Sequence, residues 1–200
     1  MAYEYADNAA RLSKNLYNAA LFRIRQIFTG YDKETRSENE KEVFELVSML
    51  EDVYPSVHVK KVISYPHLEK LMRVECNPDF FSGLPMQTAQ HVLKDAAEDF
   101  KNWLKALRSY KANPSLFLGK PCMPGYKKSD VCTFTVTNQD AVLYPMDNDD
   151  TYGVYLKLPL FKQRIRLTNI PKDSKLKEVK IKPYYGRYIL SLTLEVNGSP

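Results

Sequence analysis

The spacing of apolar residues changes once along this chain, close to Lys128, and that change limits what the chain can fold into. Before it, apolar side chains recur at steps of three and four, the period of a helix with one buried face. After it they alternate with polar ones, the period of a strand. Helices followed by strands describe an α+β protein. The expected arrangement is a helical domain over residues 1–128 and an antiparallel, barrel-like domain over residues 129–200.

The first helix is expected from about Asp7 to Phe28. Ala9, Leu12, Leu16, Ala20, Ile24 and Phe28 form its apolar stripe, and Gly30 can end it. Asn15, Tyr17 and Asn18 sit among them and read as side chains that satisfy local hydrogen bonds. Ser37 and Glu40 have the spacing of a capping box, so a second helix starts there. It runs through Val43, Leu46, Val47 and Leu50 to a break at Tyr54-Pro55, with Glu38, Glu42, Glu45 and Glu51 on a solvated face. A short helix is expected from Pro66 to Arg73. The longest helix begins near Pro85, where a missing N–H costs little. Its stripe is Ala89, Val92, Leu93, Ala96, Phe100, Trp103, Leu104 and Leu107. About 25 residues at ~1.5 Å each make a rod roughly 35 Å long.

Five alternating runs follow Lys128. They are built on Cys132, Phe134 and Val136; on Val154, Leu156, Leu158 and Leu160; on Ile165 and Leu167; on Val179 and Ile181; and on Tyr188, Leu190, Leu192, Leu194 and Val196. A weaker run lies near 141–144. Short turns between them predict an antiparallel meander, curled into a small barrel or folded over a helix. Its polar side carries Lys157, Arg164, Arg166, Lys180 and Lys182, expected together on one sheet face.

Charge is distributed as unevenly as periodicity. The net charge is +5, yet residues 1–100 hold 12 basic and 16 acidic side chains, and residues 101–200 hold 17 and 8. From Lys101 to Lys128 seven cations occur without one carboxylate: Lys101, Lys105, Arg108, Lys111, Lys120, Lys127 and Lys128. Tyr110, Phe117 and Tyr126 are interleaved with them, and Pro114, Pro121 and Pro124 break the helix. Cations mixed with aromatic rings suit a phosphate chain. The bland readings are a solvated helix tail and, in the sheet, edge protection by lysine and arginine.

No catalytic constellation is visible. His58, His67 and His91 are scattered, and no GxSxG, HExxH or phosphate-loop pattern occurs. The run Asp147, Asn148, Asp149, Asp150 lacks the glycine and distal glutamate of a calcium loop and reads as an exposed turn. Asn197-Gly198-Ser199 fits a glycosylation triplet but is followed by Pro200 and is set aside. No cofactor is expected. Three cysteines without a CxxC pair, Cys76, Cys122 and Cys132, fit a reducing, cytoplasmic compartment. Neither a signal peptide nor a membrane span is expected.

Four runs carry a resemblance: KNLYNAALFRIRQ (14–26), LPMQTAQHVLKDAAEDFKNWLKAL (84–107), KANPSLFLGKPCMPGYKK (111–128) and FTVTNQ (134–139), in this order. Together they resemble the N-terminal half of TnpB-type (OrfB) transposases of bacterial insertion sequences, which are RNA-guided DNA endonucleases. The resemblance extends over about residues 3–196. It implies a helical recognition domain inserted into a β-barrel wedge domain, holding guide RNA and reading a short motif beside the DNA target. By motif match, Met86, Gln87, Gln90, Thr137 and Asn138 would read that motif. Glutamine offers adenine a donor and an acceptor, and threonine's methyl suits thymine. Met86 departs from the polar or cationic residue usual in the family, and the turn at 147–150 is longer than usual. The family's opening strand should precede the first helix. Its nuclease carboxylates and four-cysteine zinc element should follow the wedge, and neither is found in these residues. The expectation is therefore a truncated binding portion, not catalytic alone. The alternatives are one piece of a split endonuclease completed by a separately encoded nuclease domain, or an inert transposon remnant.

Overall fold

The computed structural model describes residues 2–147 and 151–195. The protein is α+β, with four α-helices ahead of six strands. Its chain divides into two compact units. Lys14–Gly83 with Val92–Lys128 forms a helical unit, and Met1–Ser13, Leu84–His91 and Ser129–Pro200 form a strand unit. Helices α1 (Ala2–Gly30) and α4 (Met86–Ala112) each contribute turns to both units. Among the described residues no helix is long and apolar enough to cross a membrane.

In the helical unit, α1 buries Leu16, Ala20, Leu21, Ile24 and Ile27, and α4 buries Val92, Leu93, Ala96 and Phe100. Phe28, Phe100 and Trp103 meet edge to face, with ring centroids 5.1–5.7 Å apart. Such pairs add about 0.5–1.5 kcal/mol each beyond the area they bury. Helices α2 (Glu38–Val53) and α3 (Tyr65–Val74) bury Val43, Val47 and Leu50 and Leu68, Leu71 and Met72. The bidentate pair of Arg23 with Glu75, Nε to Oε2 at 2.6 Å, ties α1 to the residue that ends α3.

The capping box starts α2 as the spacing predicts. Ser37 Oγ accepts from the Glu40 N–H at 3.4 Å, and the Ser37 N–H donates to Glu40 Oε2 at 2.8 Å. Glu40 does more than cap. It is 2% exposed, and its Oε1 accepts from Lys33 Nζ at 2.7 Å and Thr29 Oγ1 at 2.8 Å. Lys33, then the Ser37 N–H, then Thr29 hold its carboxyl down at about 2. A Cβ on Gly30 would stand 3.0 Å from the Phe44 ring and 3.2 Å from Glu40, so a larger residue would force the α1–α2 junction apart. Glu51 departs from the expected solvated face. It is half-buried and accepts from the Val59 N–H at 2.8 Å, which anchors the loop after α2.

All six expected strands form: β1 (Phe134–Thr137), β2 (Val142–Pro145), β3 (Tyr152–Lys157), β4 (Arg164–Pro171), β5 (Lys175–Tyr184) and β6 (Arg187–Glu195). Their ladders do not make the expected barrel. They form two three-stranded antiparallel sheets, β1-β5-β6 and β2-β3-β4. Only the second is a meander. Alternation tells which residues share a face, but not which strand lies beside which. Here β1 pairs with β5 from Phe134↔Ile181 to Thr137↔Glu178, and a tight turn at Thr137–Ala141 then sends β2 into the other sheet. Inward side chains include Phe134, Val136, Val179 and Ile181 from one sheet and Val154 and Leu156 from the other. The α1 helix starts five residues before the expected Asp7, because its first turns have partners in this unit. Tyr3 packs on Tyr188 and Tyr5 on Phe161, with centroids 5.5 and 5.4 Å apart.

Strands β5 and β6 turn through Tyr185-Gly186, with φ of 42° and 71°, between the paired residues Tyr184 and Arg187. Two left-handed residues in a two-residue loop match a type I′ turn, which prefers Asn-Gly. Tyr185→Asn is therefore expected to raise stability by about 1 kcal/mol in urea unfolding; an unchanged or lowered midpoint contradicts this. Glu40 gives a pH prediction. Its folded value of about 2 lies below the ordinary 4.5, so its contribution is complete above 4.5 and lost as pH falls towards 2. Glu40→Gln should be less stable than the parent at neutral pH and should lose less stability across that acid window, followed by circular dichroism.

Candidate nucleic-acid interface

On a helix, steps of four and three return to one face. Lys94, Glu98, Lys101, Lys105 and Arg108 therefore stand in a single stripe on α4. They form one wall of a groove of about 500 Å³ whose opposite wall is Val62, Ile63, Ser64, Tyr65 and Pro66. That wall is the start of α3: Ser64 is its N-cap and accepts from the His67 N–H at 3.4 Å. Helix N-termini carry partial positive charge, which reinforces the lysines and arginine opposite. Burial, then the Glu69 carboxylate, pushes Tyr65 up to about 12, so its hydroxyl stays neutral and donates to Glu69 Oε2 at 3.1 Å. Glu98 lies 4.0 Å from Lys94, an exposed pair of little worth. Lys101, Lys105 and Arg108 are exposed and pair with no carboxylate among the described residues. Lys111, one turn further, is exposed too.

The loop after α4, which opens with a 3-10 turn at Pro114–Leu116, is pinned rather than free. Trp103 Nε1 donates to the Pro121 carbonyl at 3.1 Å. Asn18 clasps the backbone of Lys127 at both ends: its Nδ2 donates to the carbonyl at 3.0 Å, and its Oδ1 accepts from the N–H at 2.8 Å. Tyr17 donates to Asp99 Oδ2 at 2.7 Å, and its ring lies 3.9 Å below Lys127 Nζ. The expectation that Tyr17 and Asn18 satisfy local hydrogen bonds is thus corrected, since both join distant segments. Asn15 does stay local and accepts from Lys14. Arg25 covers the ring of Tyr126 at 5.1 Å. Of the loop's expected contact residues, Lys120 and Lys128 are exposed, Tyr126 is 42% exposed beneath Arg25, and Lys127 is engaged by Tyr17 and Asn18.

The expected motif readers all fall in the strand unit. Met86, Gln87 and Gln90 occupy the first turns of α4, with Met86 exposed and both glutamines half-buried. Thr137 ends β1 and Asn138 begins the turn after it, exposed. The hydroxyls of Thr137 and of Thr88, beside Gln87, are buried and make no hydrogen bond among the described residues.

The five sheet cations do not share one face. Lys157, Arg164 and Arg166 belong to β2-β3-β4, whereas Lys180 and Lys182 stand on β5 in the other sheet. Alternation fixed their outward direction and left the sheet undetermined. Lys157 spends its ammonium on the carbonyls of Phe161 and Lys162, the second at 3.1 Å. Lys180 lies 3.7 Å from Glu178. A cavity of about 240 Å³ in the strand unit, among Tyr3, Phe161, Ile165, Ile181 and Leu190, is mostly apolar and unsuited to phosphate.

Lys94 extends the α4 stripe and was legible from its heptad spacing to Lys101. The Val62–Pro66 wall opposite α4 and Arg25 over Tyr126 in the loop were not, because tertiary packing alone sets them there. Among the described residues no three His, Cys, Asp or Glu side chains are grouped to hold a metal ion. Of the acidic run, Asn148, Asp149 and Asp150 lie outside the described residues, as do the triplet at 197–199 and Val196. No protein-family model matches the chain, and no curated protein aligns with it significantly.

Asn18 supplies the test of the pinned loop. Asn18→Ala removes two hydrogen bonds, so hydrogen exchange at the Lys127 amide should quicken by roughly ten- to a hundred-fold, the equivalent of about 1–3 kcal/mol. Amides of α2 should be unaffected. Unchanged exchange at Lys127 would show that the loop is held by something else.

Proposed function

We propose that this chain is a nucleic-acid-binding portion of a TnpB-type, RNA-guided system, and that it does not cut DNA by itself. In this reading the groove of the helical unit holds the phosphate backbone of a guide RNA. Met86, Gln87, Gln90, Thr137 and Asn138 read a short motif in the target DNA. The cutting chemistry of such a system belongs to a nuclease domain outside these residues, and the setting is the bacterial cytoplasm.

One observation carries the reading. Lys101, Lys105 and Arg108 line a groove in register, and none of the three forms an ion pair among the described residues. Like charges at such helical spacing destabilise a helix by about 0.2–0.5 kcal/mol per pair. A polyanion in the groove turns that cost into affinity. Further support comes from the exposed Lys111, Lys120 and Lys128 in the same unit, and from the four runs that resemble TnpB-type proteins.

Phosphate contacts release counterions, so affinity falls with salt by roughly 0.7–0.9 log units per log unit of salt for each phosphate neutralised. Binding to a structured RNA should therefore weaken steeply with salt in a filter-binding titration. The combined variant Lys101→Ala, Lys105→Ala, Arg108→Ala should make that slope shallower by about two to three. Absence of binding, or an unchanged slope in the variant, would refute the reading.

A further inference from the structure

The outer face of the β2-β3-β4 sheet has a composition that the groove lacks. Register sets Tyr144 opposite Tyr155 and Tyr155 opposite Arg166, in one row across the three strands. The neighbouring row is Val142, Lys157 and Arg164. Arg164 leans across its row and sets its guanidinium 4.6 Å from the centre of the Tyr144 ring. Tyr144 and Val142 are 39% and 43% exposed, both arginines are exposed, and Tyr155 is half-buried. These two rows hold no carboxylate. Lys157 is committed to loop carbonyls, which leaves two guanidinium groups without an ion pair among the described residues.

From this we propose that the face is a stacking platform for unpaired bases of a single-stranded nucleic acid, a claim that rests on the nucleic-acid reading above. Two tyrosines on neighbouring strands, whose backbones lie about 4.8 Å apart, offer π surfaces on one sheet face. An unpaired base presents a matching π face, and a guanidinium can lie on either. Arg166, beside Tyr155, is positioned for the phosphate that follows a stacked base. A duplex keeps its base faces inside its own stack and cannot use the rings. An acidic peptide could meet the arginines but has no flat face for the tyrosines. Stacking on a protein aromatic tolerates any base, so the platform is expected to be indifferent to sequence.

The test compares a labelled oligouridylate with a labelled RNA duplex, using the full chain and fluorescence anisotropy. Tyr144→Leu with Tyr155→Leu keeps apolar bulk and removes the rings. It should weaken oligouridylate binding by roughly tenfold or more and leave duplex binding within about twofold. Tyr144→Phe with Tyr155→Phe should bind both ligands as the parent does. Should the leucine variant fail to melt cooperatively, photo-crosslinking of a 4-thiouridine oligomer to the parent chain decides, with adducts expected on Tyr144 or Tyr155. The platform is overturned by equal losses on both ligands, by no loss, by adducts confined to other residues, or by polyglutamate displacing the oligouridylate as well as unlabelled RNA does. A parent chain that binds duplex in a salt-dependent way but not oligouridylate sinks the platform alone. One that binds neither sinks the nucleic-acid reading as well.

Discussion

The packing of α4 against α1 in the helical unit is the constraint from which the site follows. A helix can turn a row of cations to solvent only if its opposite face is held. Phe100, 1% exposed, and its edge-to-face contacts with Phe28 and Trp103 hold that face. Tyr17 adds a hydrogen bond to Asp99 beside it. With rotation of α4 fixed in this way, Lys101, Lys105 and Arg108 point along the groove opposite Val62–Pro66. The same Trp103 donates its indole N–H to Pro121, so the residue that fixes the helix also anchors the loop leaving it.

Electrostatics separates this surface from an ordinary solvated one. Several cations elsewhere in the helical unit have carboxylate partners: Lys33 with Glu40, Arg23 with Glu75, Arg73 with Glu69. Along the outward stripe of α4 the partners stop after Glu98. Local rules that favour alternating charge on a helix face are broken there, and the break coincides with a groove. The sheet face with Tyr144, Tyr155, Arg164 and Arg166 shows a similar one-signed pattern, but with rings in place of a groove. On the proposed function, backbone charge suits the first surface and base faces suit the second.

Local signals were legible in the sequence, and pairing was not. Ser37 and Glu40 announced the start of α2 because a capping box is written within four residues. The strands announced themselves because alternation is local too. What the sequence left open was decided by contacts outside each residue's own helix or strand. Asn18 looked like a polar residue tending its own helix, yet it clasps Lys127. Glu51 looked solvated, yet it holds the Val59 N–H. Lys157, Arg164, Arg166, Lys180 and Lys182 looked like one patch, yet strand order splits them between two sheets. In the candidate site, the α4 cations could be read by spacing, whereas Arg25 over Tyr126 could not.

Lysine reactivity mapping examines the central claim most directly. The chain is treated with an amine-acylating reagent, with and without a structured RNA, and modification is read at each lysine by mass spectrometry. Joint protection of Lys101 and Lys105, with Lys41 on α2 remaining reactive, is the expected result. Uniform protection of every lysine, or no protection at Lys101 and Lys105 under conditions where RNA is bound, would contradict a groove that grips the phosphate chain.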